Sequence, residues 1–225
     1  DLGEINLKFE NYKKRIYPYK NNTSHLVGFV NIDQNGQTGI ERFYDKSLLS
    51  SSDVHLSIDI NLQQSIRSNL IETVKSYNAQ SGLALVLDIS TGELLSSVSF
   101  PDFNPNNKNL NNNNLINRVI QSNYEMGSTF KPLTAANGFD YNVINSEMIF
   151  DIKKSVKGVR DHENYKDNGL YNVERIVVES SNIGTAQIAL KIGKEFQKDF
   201  LNKLGFFKKI EIESLEAEKP LANPN

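Results

Sequence analysis

Between residues 61 and 100 the hydrophobic pattern changes its period, and that change restricts the chain to folds in which a helix packs on strands. Leu62, Ile66, Leu70, Val74 and Tyr77 recur three and four residues apart, which predicts a helix over about 61–77 with one apolar face. Such a face must be covered, and the cover stands next in the chain. Leu83 to Leu87 is a short continuous apolar run and Leu94 to Phe100 a second strand-like piece, with Ile89-Ser90-Thr91-Gly92 suited to a tight hairpin turn between them. From Ser128 onward the period is helical again: one stretch after Ser128, one over about 173–179, and one after Asn182. A last stretch carries Phe196, Phe200, Leu201 and Leu204, with Gly205 where a left-handed cap would stop it. The expected fold class is α+β, with helices against an antiparallel sheet.

The remaining segments are read by composition. Residues 1 to about 50 are punctuated by Tyr17-Pro18, Asn35-Gly36 and Thr38-Gly39 around short apolar pieces, and are expected to form a small extended module. The asparagine-rich stretch 104–114 has no periodicity and reads as a solvated, mobile loop. With 225 residues, 38% hydrophobic and 23% charged, the chain can bury a sizeable core and is not of the disordered class. A formal net charge of -2 without basic blocks excludes the electrostatic footprint of a nucleic-acid binder. The absence of cysteine rules out a disulfide framework and fits periplasm and cytoplasm equally. No apolar run is long enough to span a bilayer. The start at Asp1 and the loop-like ending Lys219 to Asn225 suggest a piece of a longer protein, any membrane anchor lying outside it.

Chemistry enters at Tyr124-Glu125-Met126-Gly127-Ser128-Thr129-Phe130-Lys131-Pro132, where a serine and a lysine stand three apart at the start of a helix, on one face. A serine hydroxyl becomes a nucleophile when a neighbouring base takes its proton, and a lysine serves when burial favours its neutral form. The N–H groups of the helix start would favour the oxyanion formed as Ser128 attacks a carbonyl. A Ser-x-x-Lys pair arises on the order of once by chance in a chain of this length. A second element therefore matters: Glu179-Ser180-Ser181-Asn182-Ile183-Gly184-Thr185, between two helical stretches. By itself it is an ordinary helix cap. Beside Lys131, Ser180 can relay a proton, and the Asn182 amide can hold Lys131 and a substrate amide.

Further segments, in order along the chain, extend the pattern. Arg15-Ile16-Tyr17-Pro18, Ser24 to Val30 and Gly36 to Glu41 come first. Asp53 to Gln64 follows, then Asp88-Ile89-Ser90-Thr91-Gly92-Glu93-Leu94-Leu95, Val98 to Pro101, Asp102 to Pro105, and Asn117-Arg118 through Pro132. Together with the Ser-x-x-Lys and Ser-x-Asn elements they resemble the class B penicillin-binding proteins, serine D,D-transpeptidases of the bacterial cell wall. The resemblance covers nearly the whole chain. It implies a partial penicillin-binding-protein and serine β-lactamase-like fold. Residues 1–50 would be the end of a pedestal module and residues 51–225 the first portion of the transpeptidase domain, with sheet strands missing and an exposed sheet edge.

The roles it implies are Ser128 as acylated nucleophile, Lys131 as general base, Ser180 as proton shuttle, and Asn182 as substrate-amide contact, with the Ser128 N–H as half of an oxyanion hole. Substrates would be the D-Ala-D-Ala ends of peptidoglycan stem peptides, and β-lactams would acylate the same serine. No cofactor or metal is implied. The setting would be the periplasmic face of the inner membrane in septal wall synthesis, with a polytopic glycan polymerase and other division proteins as partners. The family's third motif, Lys-Ser/Thr-Gly, does not occur after Asn182, so the chain by itself is expected not to turn over substrate while its parent does. Met126 stands where the family usually has proline, and Tyr44 to Ser52 is shorter than in many members. The alternative is a non-catalytic scaffold or β-lactam-sensing module. His25, His55 and His162 are scattered and read as surface or structural residues. Asp161, Glu163 and Asp167 lie in a polar loop between the two motifs and read as a solvated loop face, with a place at the border of the cleft as the alternative.

Overall fold

The computed structural model describes residues 14–107, 111–161 and 167–217, and its contacts group into two compact units. One holds the chain up to Ser122 and a return segment from Lys209; the other runs from Asn123 to Lys208. Each mixes helices with a two-stranded antiparallel sheet, in agreement with the α+β expectation.

In the first unit, the short helices α1 (Ser24–Val27), α2 (Gly39–Phe43) and α3 (Asp45–Leu49) precede the long helix α4 (Ile60–Ser76) and the hairpin β1 (Gly82–Leu87) and β2 (Leu94–Phe100). The first fifty residues, where described, therefore hold short helices joined by turns where an extended module is expected. Their turn residues cap and join short helices, as where Gly39, at φ +59°, opens α2. Asp59 starts α4 by accepting from the N–H groups of Asn61 and Leu62 at 2.9 and 3.0 Å. The strands pair with Gly82 opposite Phe100 and Val86 opposite Ser96, and a bulge follows Val86. The turn pivots on Asp88, whose carboxylate accepts from Ser90 N at 2.7 Å while Gly92 takes φ +77°. Gly82 lets α4 lie close, since a Cβ there would come within 2.8 Å of Val74 Cγ2.

The face of α4 on the sheet is not the purely apolar one that periodicity predicts. Tyr77, just past its end, is 81% exposed, whereas Gln63 is 2% exposed. The Gln63 amide donates to Asn22 O and Ser97 O, both at 2.8 Å, and accepts from Ser96 Oγ and Ser97 N at 2.8 and 2.9 Å. Every polar position of its side chain is thereby filled. One turn on, Arg67 pairs with the nearly buried Asp102 at 2.6 Å, and Asn21 donates to the same carboxylate at 2.8 Å. These bonds tie residues on both sides of position 50 together.

The asparagine-rich segment is more ordered than its composition predicts where it is described, residues 108–110 lying outside the described residues. Asn106 accepts from Tyr17 N at 3.0 Å and donates to Tyr17 O at 2.9 Å. Helix α5 (Asn112–Leu115) follows, and Asn114 donates to Asp102 O at 3.1 Å. Its carbonyl meets His25 Nε2 at 2.8 Å. Asparagine side chains mimic backbone groups, and here they substitute for secondary-structure bonds. Helix α6 (Arg118–Gln121) closes the unit. His25 is buried against the edge of Phe103, and desolvation pushes its pKa down, so it packs as a neutral ring.

The second unit holds α7 (Lys131–Asp140), the hairpin β3 (Ile149–Asp151) and β4 (Leu170–Asn172), α8 (Val173–Val178), α9 (Asn182–Ile192) and α10 (Lys194–Lys203). Its core joins Ala135 of α7, Ile144 and Ile152, Tyr171 and Ile176, and Ile183, Ile188 and Ile192 of α9. Helix α10 docks through Tyr141, which stacks on Phe196 at 4.6 Å, and Gly205 ends it at φ +84° as its position predicts. Among the described residues no helix is long and apolar enough to cross a membrane.

Replacing Gln63 by Leu fills the same space and strands two carbonyls, a hydroxyl and an N–H; the expected loss is about 3 kcal/mol of stability. Urea denaturation measures it, and an unchanged midpoint would show that water replaces those bonds.

Candidate active site

The first half of the site is built where the chain enters α7. Gly127, at φ +55°, opens a 3₁₀ turn over Gly127–Phe130 that runs directly into the helix. Its period of three keeps residues 128 and 131 on one side. The Lys131 N–H donates to Ser128 O, and Pro132 in the first turn of α7 uses its fixed φ where no N–H is needed. Ser128 is exposed, and among the described residues its hydroxyl makes no hydrogen bond.

The second half is the tight connection from α8 to α9. The Ser180 and Ser181 N–H groups donate back to Val177 O and Ile176 O at 3.2 and 2.9 Å, closing α8. Ser180 itself takes φ +53°, a left-handed conformation uncommon for a residue with a side chain. Ser181, 2% exposed, then caps α9 by accepting from Gly184 N at 2.9 Å.

The two halves meet at Lys131. Its Nζ donates to Ser180 Oγ at 2.9 Å and also to the Ser180 carbonyl. Desolvation pushes the lysine below its ordinary pKa, and the Asp161 carboxylate works against that shift without reversing it. The expected hydrogen bond between Ser128 and Lys131 is not made. The Lys131 amine instead donates to the hydroxyl and the carbonyl of Ser180. Nor does Asn182 hold Lys131. Its Nδ2 donates instead to Arg160 O at 2.7 Å, and its Oδ1 has no partner among the described residues.

Asp161, expected on a solvated loop face, is instead bonded into this turn. Its carboxylate accepts from Ser181 Oγ at 2.8 Å, from Ile183 N at 3.1 Å and from Asn182 N. No spacing rule ties an aspartate some twenty residues before a cap to that cap, so the individual bonds are not readable from the sequence. Asp167 serves elsewhere. It pairs with Arg175, and the Gly169 N–H, with that pairing, holds its carboxyl below the usual range. Glu163 and His162 lie outside the described residues. The arrangement can supply a hydroxyl on an exposed turn, an amine with lowered proton affinity, a second hydroxyl bonded to that amine, and an amide oxygen free to accept.

Known proteins are similar to this chain in sequence and fold. Residues 82–220 match the family described as penicillin binding protein transpeptidase domain. The chain is 31% identical over 229 residues to the probable peptidoglycan D,D-transpeptidase FtsI of Caulobacter vibrioides, covering 98% of the chain and 39% of that protein. To the peptidoglycan D,D-transpeptidase FtsI of Escherichia coli it is 30% identical, covering 92% and 40% respectively. Among solved structures, a putative peptidoglycan glycosyltransferase from Atopobium parvulum superposes with a TM-score of 0.82 at 27% identity, over 91% of this chain and 52% of that one. Pseudomonas aeruginosa PBP2, in complex with WCK 5153, gives 0.75 at 26%, over 95% and 56%. The chain spans about two fifths of the length of these curated relatives.

The turn rests on Gly184, where α9 crosses α8: a Cβ there would lie 2.6 Å from Ile176 Cγ1, in the fully buried core. Gly184→Ala is expected to lower stability by about 1–3 kcal/mol through overpacking, which a thermal melt will detect.

Proposed function

Since the chain belongs to the penicillin-binding protein transpeptidase family, we propose that the protein it comes from is a peptidoglycan D,D-transpeptidase that cross-links stem peptides in septal wall synthesis. Ser128 attacks the carbonyl of the penultimate D-Ala of a stem peptide, and Lys131, in its neutral form, takes the hydroxyl proton. The Ser128 N–H stabilises the tetrahedral oxyanion. Ser180 passes the proton on to the leaving D-Ala amine, which departs and leaves an ester on Ser128. An amine of a neighbouring stem then attacks that ester, gives up its proton along the reverse route and frees the serine. Asn182 Oδ1 receives a backbone N–H of the donor peptide. β-Lactams enter the same path and stop at the ester.

The observation that carries this reading is the 2.9 Å bond from Lys131 Nζ to Ser180 Oγ, which joins side chains 49 residues apart in the sequence. The unbonded hydroxyl of Ser128 accords with a resting state in which Lys131 is still charged. Loss of that proton would turn the amine into an acceptor for Ser128 without breaking its bond to Ser180. The family assignment supports reading residues 51–225 as part of the transpeptidase domain and residues 1–50 as the end of a pedestal module. The septal relatives support a location on the periplasmic face of the inner membrane, anchored outside this chain, beside a polytopic glycan polymerase and other division proteins.

Incubating the complete gene product with a fluorescent penicillin, followed by mass spectrometry of the labelled peptide, tests the reading. Label is expected on Ser128 and absent from Ser128→Ala; label on another residue, or none, would overturn it. The acylation rate should rise with pH as Lys131 loses its proton, with a midpoint below the ordinary lysine value of about 10.4. A pH-independent rate would remove Lys131 from the role of base.

A further inference from the structure

We infer that Asp161 is a positioning residue for acylation: with Arg160 it clamps the turn over residues 180–182, so that Ser180 stays against Lys131 and Asn182 turns its amide oxygen outward. The inference rests on the transpeptidase reading above and adds a residue outside both motifs.

The clamp is made of directed bonds. One carboxylate receives the Ser181 hydroxyl at 2.8 Å, the Ile183 N–H at 3.1 Å and the Asn182 N–H. The adjacent Arg160 carbonyl receives Asn182 Nδ2 at 2.7 Å. Two consecutive residues thus engage three consecutive residues, by both backbone and side chain. The carboxylate also lies at the positive end of α9, where a negative charge is favoured. Those N–H groups are therefore satisfied from within the chain and are not free for a ligand.

The consequence falls on Ser180. A serine at φ +53° persists only where its surroundings over-determine it. Behind it, α8 fixes its N–H through Val177 O at 3.2 Å; ahead of it, Asp161 holds the next three residues. Release of the forward hold lets the peptide relax toward an ordinary conformation, and the Ser180 hydroxyl and carbonyl then leave Lys131. Orientation of Asn182 depends on the same hold, because with Nδ2 pinned to Arg160 O the free atom of its amide is Oδ1, an acceptor.

The clamp also places a charge near the base. Asp161 is the charged group whose field is resolved at Lys131 among the described residues, and it favours the ammonium. Removing the charge has an effect that loss of packing does not share. It moves the pH at which the amine becomes a base.

The test compares the complete gene product with its Asp161→Ala and Asp161→Asn forms, using a fluorescent penicillin as probe and recording acylation rate constants over pH alongside thermal melts. Asp161→Ala is expected to lower the second-order rate constant on the order of 100-fold, with residual label still on Ser128. Asp161→Asn keeps the shape and one acceptor oxygen, so it should lose less rate and shift the pH midpoint to lower pH. If Asp161→Ala fails to melt cooperatively, the Asn form decides. Rates within about twofold of the parent, or a loss with no shift of the midpoint in Asp161→Asn, would overturn the inference. A parent protein that takes no label on Ser128 would instead reject the transpeptidase reading.

Discussion

Lys131 reaches from the first turn of α7 to the turn between α8 and α9, where it donates to the hydroxyl and the carbonyl of Ser180. The rest of the second unit can be understood as what keeps that contact in place. Ile176, Ile183 and Ile188 bury the flanks of α8 and α9, Gly184 lets the two helices close, and Ala135 seats α7 against them. A lysine side chain carries considerable rotamer freedom, so a two-pronged acceptor is what selects one of its conformations. Partial desolvation then lowers its proton affinity, the property a base needs near neutral pH.

The first unit illustrates a different physical rule. Its helix-to-sheet interface is bonded as much as it is apolar, with Gln63 completing four hydrogen bonds under α4 and Asp102 collecting Arg67 and Asn21. The exposed Arg15 pairs with the fully buried Glu41 at 2.6 Å, which ties the beginning of the described chain to α2. Burial and the nearby Glu41 charge raise the Tyr17 hydroxyl to about 12, so it stays neutral while accepting from Val30 N at 3.0 Å. Such groups hold a unique arrangement because leaving any one of them unpaired is costly.

The legible and the illegible parts of the sequence divide along the same line. The helix over 60–76, both strands of the first hairpin, the cap at Gly205 and the meeting of Lys131 with Ser180 follow from period, turn chemistry and two short motifs, all of which are local or family patterns. Gln63 is hidden because hydrophobic periodicity assigns a polar residue to the outer face, whereas here its partners are carbonyls and hydroxyls brought in by the fold. The asparagine-rich segment misleads for the same reason: composition predicts solvation, and the partner Tyr17 is distant in sequence. The short hairpin of β3 and β4, with three residues in each strand, lies below the length at which alternation is readable. Asp161 belongs to this second group, since its bonds to Ser181, Asn182 and Ile183 exist only in three dimensions.

Everything proposed for the site requires Lys131 to hold its proton less tightly than an ordinary lysine, because it is desolvated against Ser180. A pH titration of the Lys131 ε-carbon chemical shift by NMR, in the complete gene product and in its Ser180→Ala form, reads that property at the atom concerned. The expected midpoint lies below the ordinary lysine value of about 10.4 and changes when the Ser180 hydroxyl is removed. A midpoint at the ordinary value, indifferent to Ser180, would refute the role of Lys131 as base.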